Sequence, residues 1–443
     1  GDSQNDPHEL QPWGSKPTLW GFQGGDLRGI IEKIDYLLDL GVNALYLNPV
    51  FLSPSTHRNN IIDYYKIDPR LGSIQDLKAL LNLAHSNHMR VILDGVFNHC
   101  SRGFFAFVDV LENQEHSLYR DWYYIKKYPV DAYSPGPAEQ YLAWWGIKSL
   151  PKFNTNNPQV RRYLLDVARF WIDQGADGWR LDVPNEIDDD SFWAEFRQTV
   201  KSANPDAYLV GEIWTADPRW VGEAHFDGLM NYPLRESLID LLNGGMLKTA
   251  GFVEKAEKLL HIYPRQNTYA MYLTLGSHDT ERILTVFGGN ADKVRLAYTF
   301  LFAFPGVPSI YYGDEIGMTG GKDPDCRGAF PWEASTWMTE IRSPVQKMIT
   351  ARKNQPALRR GEYCRLFVDD RRGCYAFGRT LGENAILVAL NFSPSPRTVR
   401  IPVAELRWSD GRIVRNLLGL DEYMVSGDTI AISLPAWGGV WAG

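Results

Sequence analysis

The stretch that decides the fold is Gly178–Glu186, which reads GWRLDVPNE. Its first four residues are typical of a short strand, and Asp182 follows at the carboxyl end of that strand. A turn at Pro184-Asn185 leads to a helical pattern that starts at Asp190. Barrels built from alternating strands and helices carry their chemistry on carboxylates at this position. The alternative is that Asp182 only caps the following helix, since aspartate is a common N-cap residue.

Helical and strand-like patterns alternate on both sides of this stretch, which predicts a parallel sheet. Seven strands are predicted, at Val42–Val50, Arg90–Asn98, Trp179–Asp182 and Tyr208–Glu212, near Phe226–Asn231 and Thr274–Ser277, and at Gly306–Tyr312. Helices are predicted over Leu27–Leu40, Ser73–Ala84, Asn157–Gln174, Asp190–Ala203, Asp292–Phe304 and Ser343–Asn354. We therefore expect an α/β fold of the (β/α)8 TIM-barrel type. Because such a barrel opens with a strand and the first predicted element is a helix, we expect either that its first strand is missing from this chain or that another segment fills its place.

Two segments depart from the alternation and define the expected domains. Residues 99–156 are aromatic and irregular, and they are too long for an ordinary loop, so we expect an inserted subdomain there. Beyond residue 358 short alternating strands predict a C-terminal antiparallel β domain, at Cys374–Arg379, Ala385–Phe392, Thr398–Ile401 and Thr429–Leu434. The barrel then spans residues 1–357, and the β domain spans residues 358–443.

Composition excludes several classes of function. The net charge is −7 and no basic block is present, which argues against a nucleic-acid partner. No apolar run approaches the roughly 20 residues of a membrane span. The four cysteines show no metal-type spacing; Cys364 and Cys374 are predicted to be free thiols, with a hairpin disulfide as the alternative. No signal peptide is visible, and the sequence does not define a compartment.

Carboxylates and imidazoles recur at the ends of the predicted strands. Because parallel strands end at one rim, we expect these side chains to converge there: Asp94, His99, Asp182, Glu212, His278 and Asp279. Arg180 lies two residues before Asp182, on the same face of the strand, where a cation favours the ionised carboxylate. Glu212 has apolar neighbours in sequence, and apolar surroundings would raise the pKa of a carboxyl that serves as an acid. Two carboxyls in such different environments are typical of glycoside cleavage.

Six stretches together resemble the signature regions of the α-amylase family of glycoside hydrolases. They are GVNALYLNPVF (Gly41–Phe51), DGVFNH (Asp94–His99), GWRLDVPNE (Gly178–Glu186), GEIW (Gly211–Trp214), GSHDT (Gly276–Thr280) and GVPSIYYGDEIGM (Gly306–Met318). LPKFNT (Leu150–Thr155) and the Val-x-Asn-Glu ending at Glu186 resemble the cyclomaltodextrinase, neopullulanase and maltogenic amylase branch.

The resemblance implies cleavage of α-1,4 bonds in maltooligosaccharides, cyclodextrins, starch or pullulan with retention at the anomeric carbon. Asp182 is then the nucleophile, Glu212 the acid and base, and Asp279 the residue that holds the hydroxyls of the distorted sugar. Further substrate-binding residues are implied at Asp94, His99, Arg180, His278, Tyr64, Trp145 and Trp214. The aromatic residues among them, with Trp144 and Tyr133, either line a glucan groove or belong to the hydrophobic core. Two alternatives remain: a transglycosylase of the same chemistry, and a carbohydrate-binding relative without activity.

One position departs from the family pattern. Relatives carry an aromatic residue shortly before the Asp-Tyr of IIDYYKIDP, where it stacks on the sugar at the cleavage point. Here Asn59 or Asn60 occupies that place, unless the loop is shifted relative to its relatives. We expect weaker binding of the distorted ring, or a substitute aromatic residue such as Tyr64 or Trp145.

A calcium site is also predicted near the N-terminus. The pattern GDSQNDP…GGD resembles the calcium loop of maltogenic amylases, and clustered Asp and Asn oxygens with a backbone carbonyl suit Ca²⁺. The expected ligands are Asp2, Asn5, Asp6, Gly24 and Asp26, and the alternative is a solvated turn. The expected partner is an α-glucan, with the protein a monomer or a dimer.

Overall fold

The computed structural model describes residues 10–443, and the chain divides into two compact units. The first unit runs to Ile213 and includes Arg219–Leu229, whereas the second comprises Trp214–Pro218 and Met230–Gly443.

The first unit is an α/β unit with a five-stranded parallel sheet. Its helices are α1 (Leu27–Glu32), α2 (Ile34–Leu40), α3 (Ile74–Ser86), α4 (Phe105–Asn113), α5 (Pro158–Asp173) and α6 (Asp190–Ala203). Its strands are β1 (Ala44–Leu47), β2 (Phe51–Leu52), β3 (Asp63–Ile67), β4 (Arg90–Gly95), β5 (Gly178–Leu181), β6 (Tyr208–Gly211) and β7 (Gly228–Leu229). The parallel sheet has the order β1-β4-β5-β6-β7, and β2 and β3 form a separate antiparallel pair. Sequential strands are therefore neighbours, as in a barrel that is wound in chain order.

The helices of this unit begin and end where capping residues require it. Ser73 and Asp76 form a capping box at α3, and Asn157 caps α5 with Pro158 in the first turn. Helix α5 buries Val160, Leu164 and Trp171 on one face, where Trp171 packs 5.0 Å from Phe51.

Gly178 must be glycine at the start of β5. Its φ is +154°, and a Cβ atom there would lie 2.1 Å from the carbonyl oxygen of Tyr208 on β6. The close approach of β5 to β6 fixes the register in which Trp179 pairs with Leu209 and Arg180 with Val210. The strand predicted from GWRLD is thus present, and it pairs with β6.

The second unit contains two further parallel strands and the predicted C-terminal β domain. Its helices are α7 (Tyr232–Leu242), α8 (Thr249–His261), α9 (Arg265–Tyr269), α10 (Ile283–Val286), α11 (Ala291–Ala303), α12 (Thr339–Asn354) and α13 (Pro356–Arg360). Strands β8 (Tyr272–Leu273) and β9 (Val307–Pro308) pair in parallel. The C-terminal strands are β10 (Glu362–Asp369), β11 (Cys374–Leu381), β12 (Asn384–Asn391), β13 (Arg397–Pro402), β14 (Ile413–Arg415), β15 (Glu422–Ser426), β16 (Thr429–Leu434) and β17 (Gly438–Ala442). They form two antiparallel sheets, β10-β11-β12-β17 and β13-β16-β15-β14, which enclose an apolar core that includes Leu387, Ile401 and Ile432.

Several boundaries differ from the sequence prediction. The single helix predicted over Leu27–Leu40 is two helices, because the chain turns at Lys33, whose φ and ψ are −105° and 14°. The strand predicted near Thr274–Ser277 is observed slightly earlier, at Tyr272–Leu273. Between residues 10 and 43 the structure contains α1 and α2 and no strand. All four cysteines are free thiols, so the alternative of a Cys364–Cys374 disulfide is wrong.

Candidate active site

The ends of strands β4, β5 and β6 bring three acidic side chains of the first unit together. Asp94 pairs in register with Arg180, and the N–H of Asp182 donates to the carbonyl of Gly95 at 3.0 Å. The N–H of Glu212 donates to the carbonyl of Leu181 at 2.9 Å. Because these three strands end level with one another, their terminal carboxylates face one small volume.

Arg180 is the cation that all three carboxylates share. Its Nη1 lies 3.2 and 3.1 Å from the two oxygens of Asp94 and 3.0 Å from Oδ1 of Asp182. Its Nη2 lies 2.9 Å from Oε1 of Glu212. The Arg180 side chain is only 2% exposed, so these ion pairs are barely screened by water. The arrangement gives Asp182 the neighbouring cation that the sequence predicts.

The surroundings of Glu212 differ from the sequence prediction. Glu212 is buried, but its carboxylate contacts the Arg180 guanidinium and accepts a hydrogen bond of 3.1 Å from the N–H of Val183. The prediction of an apolar environment was wrong because the Arg180 guanidinium, from the neighbouring strand, lies against the Glu212 carboxylate. What surrounds a strand residue is set by the adjacent strands, here β5.

Burial and charge oppose each other at Asp94 and Arg180. Burial raises the pKa of Asp94 to about 6, although Arg180 and the Tyr46 hydroxyl favour its ionised form. Burial alone would lower the pKa of Arg180, but Asp94, Glu212, Tyr46 and Asp182 together raise it well above its usual value. Arg180 therefore remains a cation, whereas burial shifts the pKa of Asp94 upward.

An aromatic stack extends from His99 towards the surface of the same unit. The His99 ring stacks on Trp144 at 5.2 Å, and Trp144 stacks on Trp145 at 4.5 Å. Burial lowers the pKa of His99 to about 3, so this imidazole is neutral. Trp145 is 80% exposed, and Trp144 covers only one of its faces. Trp145 thus presents a flat apolar surface of the kind on which sugar rings stack.

Tyr64 is not a substitute for the missing aromatic residue. It is fully buried, and its hydroxyl donates to the backbone carbonyls of Val96 and His99 at 2.8 Å each. The role in sugar stacking that the sequence suggested for Tyr64 is therefore wrong, because a ring without exposed surface has no face for a ligand.

The loop before Tyr64 distinguishes the two asparagine candidates. Oδ1 of Asn60 accepts hydrogen bonds of 2.6 Å from the hydroxyls of both Ser53 and Ser55. The preceding Arg58, at a positive φ of 55°, binds the buried Asp68 at 3.3 Å. The Asn60 side chain thus forms hydrogen bonds within the loop, and Asn59 is the better candidate for the usual aromatic position.

The other predicted residues belong to the second unit. Nε2 of His278 lies 3.0 Å from Oδ2 of Asp279, and Nη2 of Arg327 lies 3.4 Å from Oδ1 of the same carboxylate. Trp214 is 42% exposed and stacks on Tyr232 with their ring centroids 3.7 Å apart. Asp279 is therefore held between an imidazole and a guanidinium.

The predicted calcium ligands are only partly described. Asp2, Asn5 and Asp6 lie outside the described residues. Asp26 is buried, and its Oδ1 caps α1 by accepting a hydrogen bond of 2.7 Å from the N–H of Gly29. Across residues 10–443 no group of three or more His, Cys, Asp or Glu side chains is arranged to hold a metal ion. The same residues contain no helix that is both long and apolar enough to cross a membrane.

Sequence reasoning missed Tyr46, Val183 and Arg327. Tyr46 donates a hydrogen bond from its hydroxyl to Oδ2 of Asp94. Strand pairing could have found it, because Tyr46 lies opposite Ile92, two residues before Asp94 on the same face of β4. Arg327 lies in an irregular segment far along the chain from Asp279, and no periodic pattern marks it.

Comparison with known proteins identifies the families that the chain matches. The model of the α-amylase catalytic domain matches residues 2–362, and that of the maltogenic amylase C-terminal domain matches residues 364–441. The chain is 42% identical to a cyclomaltodextrinase of Geobacillus thermopakistaniensis over 98% of its own length and 72% of that protein. It is 42% identical to neopullulanase 2 of Thermoactinomyces vulgaris over 91% of its length and 69% of that protein.

A solved structure extends the likeness to the fold. The ligand-free cyclic α-maltosyl-(1→6)-maltose hydrolase of Arthrobacter globiformis superposes with a TM-score of 0.90 at 38% identity, covering 100% of this chain and 95% of that one. Together with the catalytic-domain match, this likeness confirms the predicted fold class, an α/β barrel of the TIM type followed by an antiparallel β domain.

Proposed function

The chain belongs to the α-amylase family of glycoside hydrolases, and from that premise we propose that it hydrolyses α-1,4-glucosidic bonds in maltooligosaccharides and cyclodextrins with Asp182 as nucleophile and Glu212 as acid and base. The observation that carries the proposal is the pairing of both carboxylates with the single guanidinium of Arg180. Retaining glycosidases need two carboxyls on opposite sides of one bond, roughly 5–5.5 Å apart, and a guanidinium that contacts both carboxylates supports their placement around one bond.

The reaction proceeds in two displacements. An oxygen of Asp182 attacks the anomeric carbon and forms a glycosyl ester, while Glu212 gives its proton to the departing glycosidic oxygen. Ionised Glu212 then takes a proton from water, whose oxygen attacks the same carbon and releases Asp182. Arg180 holds Asp182 ionised for the first attack and orients Glu212 for both proton transfers.

The remaining residues act on the sugar rather than on the bond. Asp279, held by His278 and Arg327, binds hydroxyls of the distorted ring and strengthens those hydrogen bonds in the transition state. Trp145 in the first unit and Trp214 in the second unit each supply an exposed surface for stacking of glucose rings. Asp94 does not bind the sugar in this proposal; it binds Arg180 and influences the two reacting carboxylates through that guanidinium.

The test separates the two carboxylates by their chemistry. Wild type, Glu212→Gln and Asp182→Asn are incubated with maltotriose and with α-maltosyl fluoride, whose fluoride leaves without a proton. We expect both variants to lose maltotriose cleavage by about 10²–10⁴-fold or more, and only Glu212→Gln to release fluoride in an initial burst. Unchanged cleavage of maltotriose by either variant would overturn the assignment. Products longer than maltotriose in the wild-type reaction would identify a sugar hydroxyl as the acceptor instead of water.

We further infer a calcium ion bound by Asp2, Asn5, Asp6, Asp26 and the carbonyl of Gly24, an oxygen donor set that suits this cation. When bound, the ion would tie the N-terminal segment to the start of α1, which Asp26 caps. We expect CaCl₂ to raise the melting temperature of the chelator-treated protein and to leave that of Asp6→Ala unchanged. An equal response of both proteins, or of neither, would contradict this site.

A further inference from the structure

Tyr46 completes the hydrogen bonding of Asp94. Its hydroxyl donates to Oδ2 of Asp94, the oxygen that Nη1 of Arg180 binds at 3.1 Å. The ring of Tyr46 also lies beside the guanidinium, with its centroid 5.8 Å from Cζ of Arg180. Asp94 thus receives one neutral donor from β1 and one cationic donor from β5, and it is 1% exposed. Tyr46 is therefore the only neutral side chain that is seen to donate to this carboxylate in the described part of the chain.

We propose that Tyr46 is a positioning residue for the reaction, whose hydroxyl keeps Asp94 ionised and thereby sets the pH at which Glu212 gives up its proton through the shared Arg180. The inference rests on the proposed function, because it takes Glu212 as the acid.

The charges that face Asp94 come from three strands. Arg180 of β5 attracts it, Glu212 at the end of β6 repels it, and Tyr46 of β1 donates to it; Asp182 is linked to it through the same guanidinium. Burial raises the pKa of Asp94 to about 6, and the Tyr46 hydroxyl is one of the groups that oppose this rise. Without that hydroxyl the pKa of Asp94 increases further, and the carboxyl is neutral over more of the neutral pH range.

A neutral Asp94 changes what Glu212 experiences. The positive charge of Arg180 is then shared between Asp182 and Glu212 and no longer also with Asp94. Glu212 also no longer experiences the repulsion of a charged Asp94. Both changes favour ionised Glu212, so that the acid loses its proton at a lower pH. In this proposal the hydroxyl of Tyr46 acts on Glu212 through Asp94 and Arg180.

The test is the pH dependence of kcat for Tyr46→Phe on maltotriose between pH 4 and 9. We expect the alkaline limb to move to lower pH by about 0.5–1 unit, since one charge-assisted hydrogen bond corresponds to roughly one pKa unit at Asp94. KM should change little. An unshifted alkaline limb, with activity either retained or lowered equally at every pH, would overturn the proposal.

Two further variants separate positioning from loss of structure. Tyr141→Phe also removes a phenol hydroxyl from the first unit, one that donates to the carbonyl of Lys148 at 2.6 Å, and it should leave the pH profile in place. Adding Tyr46→Phe to Asp94→Asn should produce no further shift, because the group through which Tyr46 acts is gone. A second shift in that background would contradict the inference. A wild type that fails to cleave maltooligosaccharides would instead contradict the proposed function.

Discussion

The N–H of Val183 donates a hydrogen bond of 3.1 Å to Oε2 of Glu212. Val183 follows Asp182 directly and has a φ of 34° and a ψ of 51°, in the left-handed region. A β-branched residue in that region is strained by about 1–3 kcal/mol. The turn after Asp182 is therefore held in an unfavourable conformation that directs its N–H at Glu212, and Arg180 contacts both of these carboxylates.

Substitutions at Val183 should reveal this strain. We expect Val183→Gly to be more stable than Val183→Ala by about 1–2 kcal/mol, because alanine keeps the Cβ atom that is unfavourable at positive φ, whereas glycine does not. Both variants lose the valine methyls and keep the N–H that binds Glu212, so their difference isolates the backbone. Urea denaturation of the two proteins measures it, and an alanine variant at least as stable as the glycine variant would show that the turn is unstrained.

A second buried carboxylate should make stability depend on pH. Asp314 is fully buried with Arg282, which lies 3.1 Å away, and burial raises the pKa of Asp314 from 3.8 to about 7. A raised pKa means that the folded state favours the protonated form. The stability that this proton contributes is present below pH 4 and is lost as the pH rises towards 7.

We therefore expect Asp314→Asn to gain stability relative to wild type between pH 4 and pH 8, by on the order of 2–4 kcal/mol. The measurement is guanidinium denaturation of both proteins at several pH values. Asp428→Asn, which removes an exposed carboxylate from the same unit, serves as the control and should show a flat difference. If the difference in the free energy of unfolding between Asp314→Asn and wild type also did not change with pH, Asp314 would be ionised at every pH tested.

The sequence was sufficient to predict the order of the elements and the strand ends at which Asp182 and Glu212 lie. Periodicity located seven parallel strands because alternating and buried patterns are local, and Asp182 and Glu212 followed from the ends of β5 and β6. The sequence did not predict which side chains contact one another across neighbouring strands. The charge next to Glu212, the hydroxyl next to Asp94 and the guanidinium next to Asp279 all come from residues distant in the chain. The break at Lys33 also escaped prediction, since both halves of that helix keep one apolar face.

Trp145 should contribute to the binding of longer glucans. We expect Trp145→Ala to raise KM for maltoheptaose by about five- to thirtyfold, which corresponds to the loss of about 1–2 kcal/mol of ring stacking. KM for maltotriose and kcat should change less, because the ring lies at the outer end of the His99–Trp144–Trp145 stack. Leu118→Ala, at an apolar residue that is 87% exposed in the same unit, is the control. Equal effects on the short and the long substrate would contradict this role.

A substitution at Asn59 should strengthen binding of the sugar at the cleavage point. Restoring an aromatic residue with Asn59→Tyr should lower KM for maltotriose by about fivefold, since one aromatic contact contributes about 1 kcal/mol. The loop should tolerate the change, because Asn60 and Arg58 anchor it through Ser53, Ser55 and Asp68. Asn60→Tyr is the matched control: it removes both serine hydrogen bonds and should lower the melting temperature without lowering KM. If Asn59→Tyr raised KM while the melting temperature stayed constant, the side chain at this position would be facing away from the sugar.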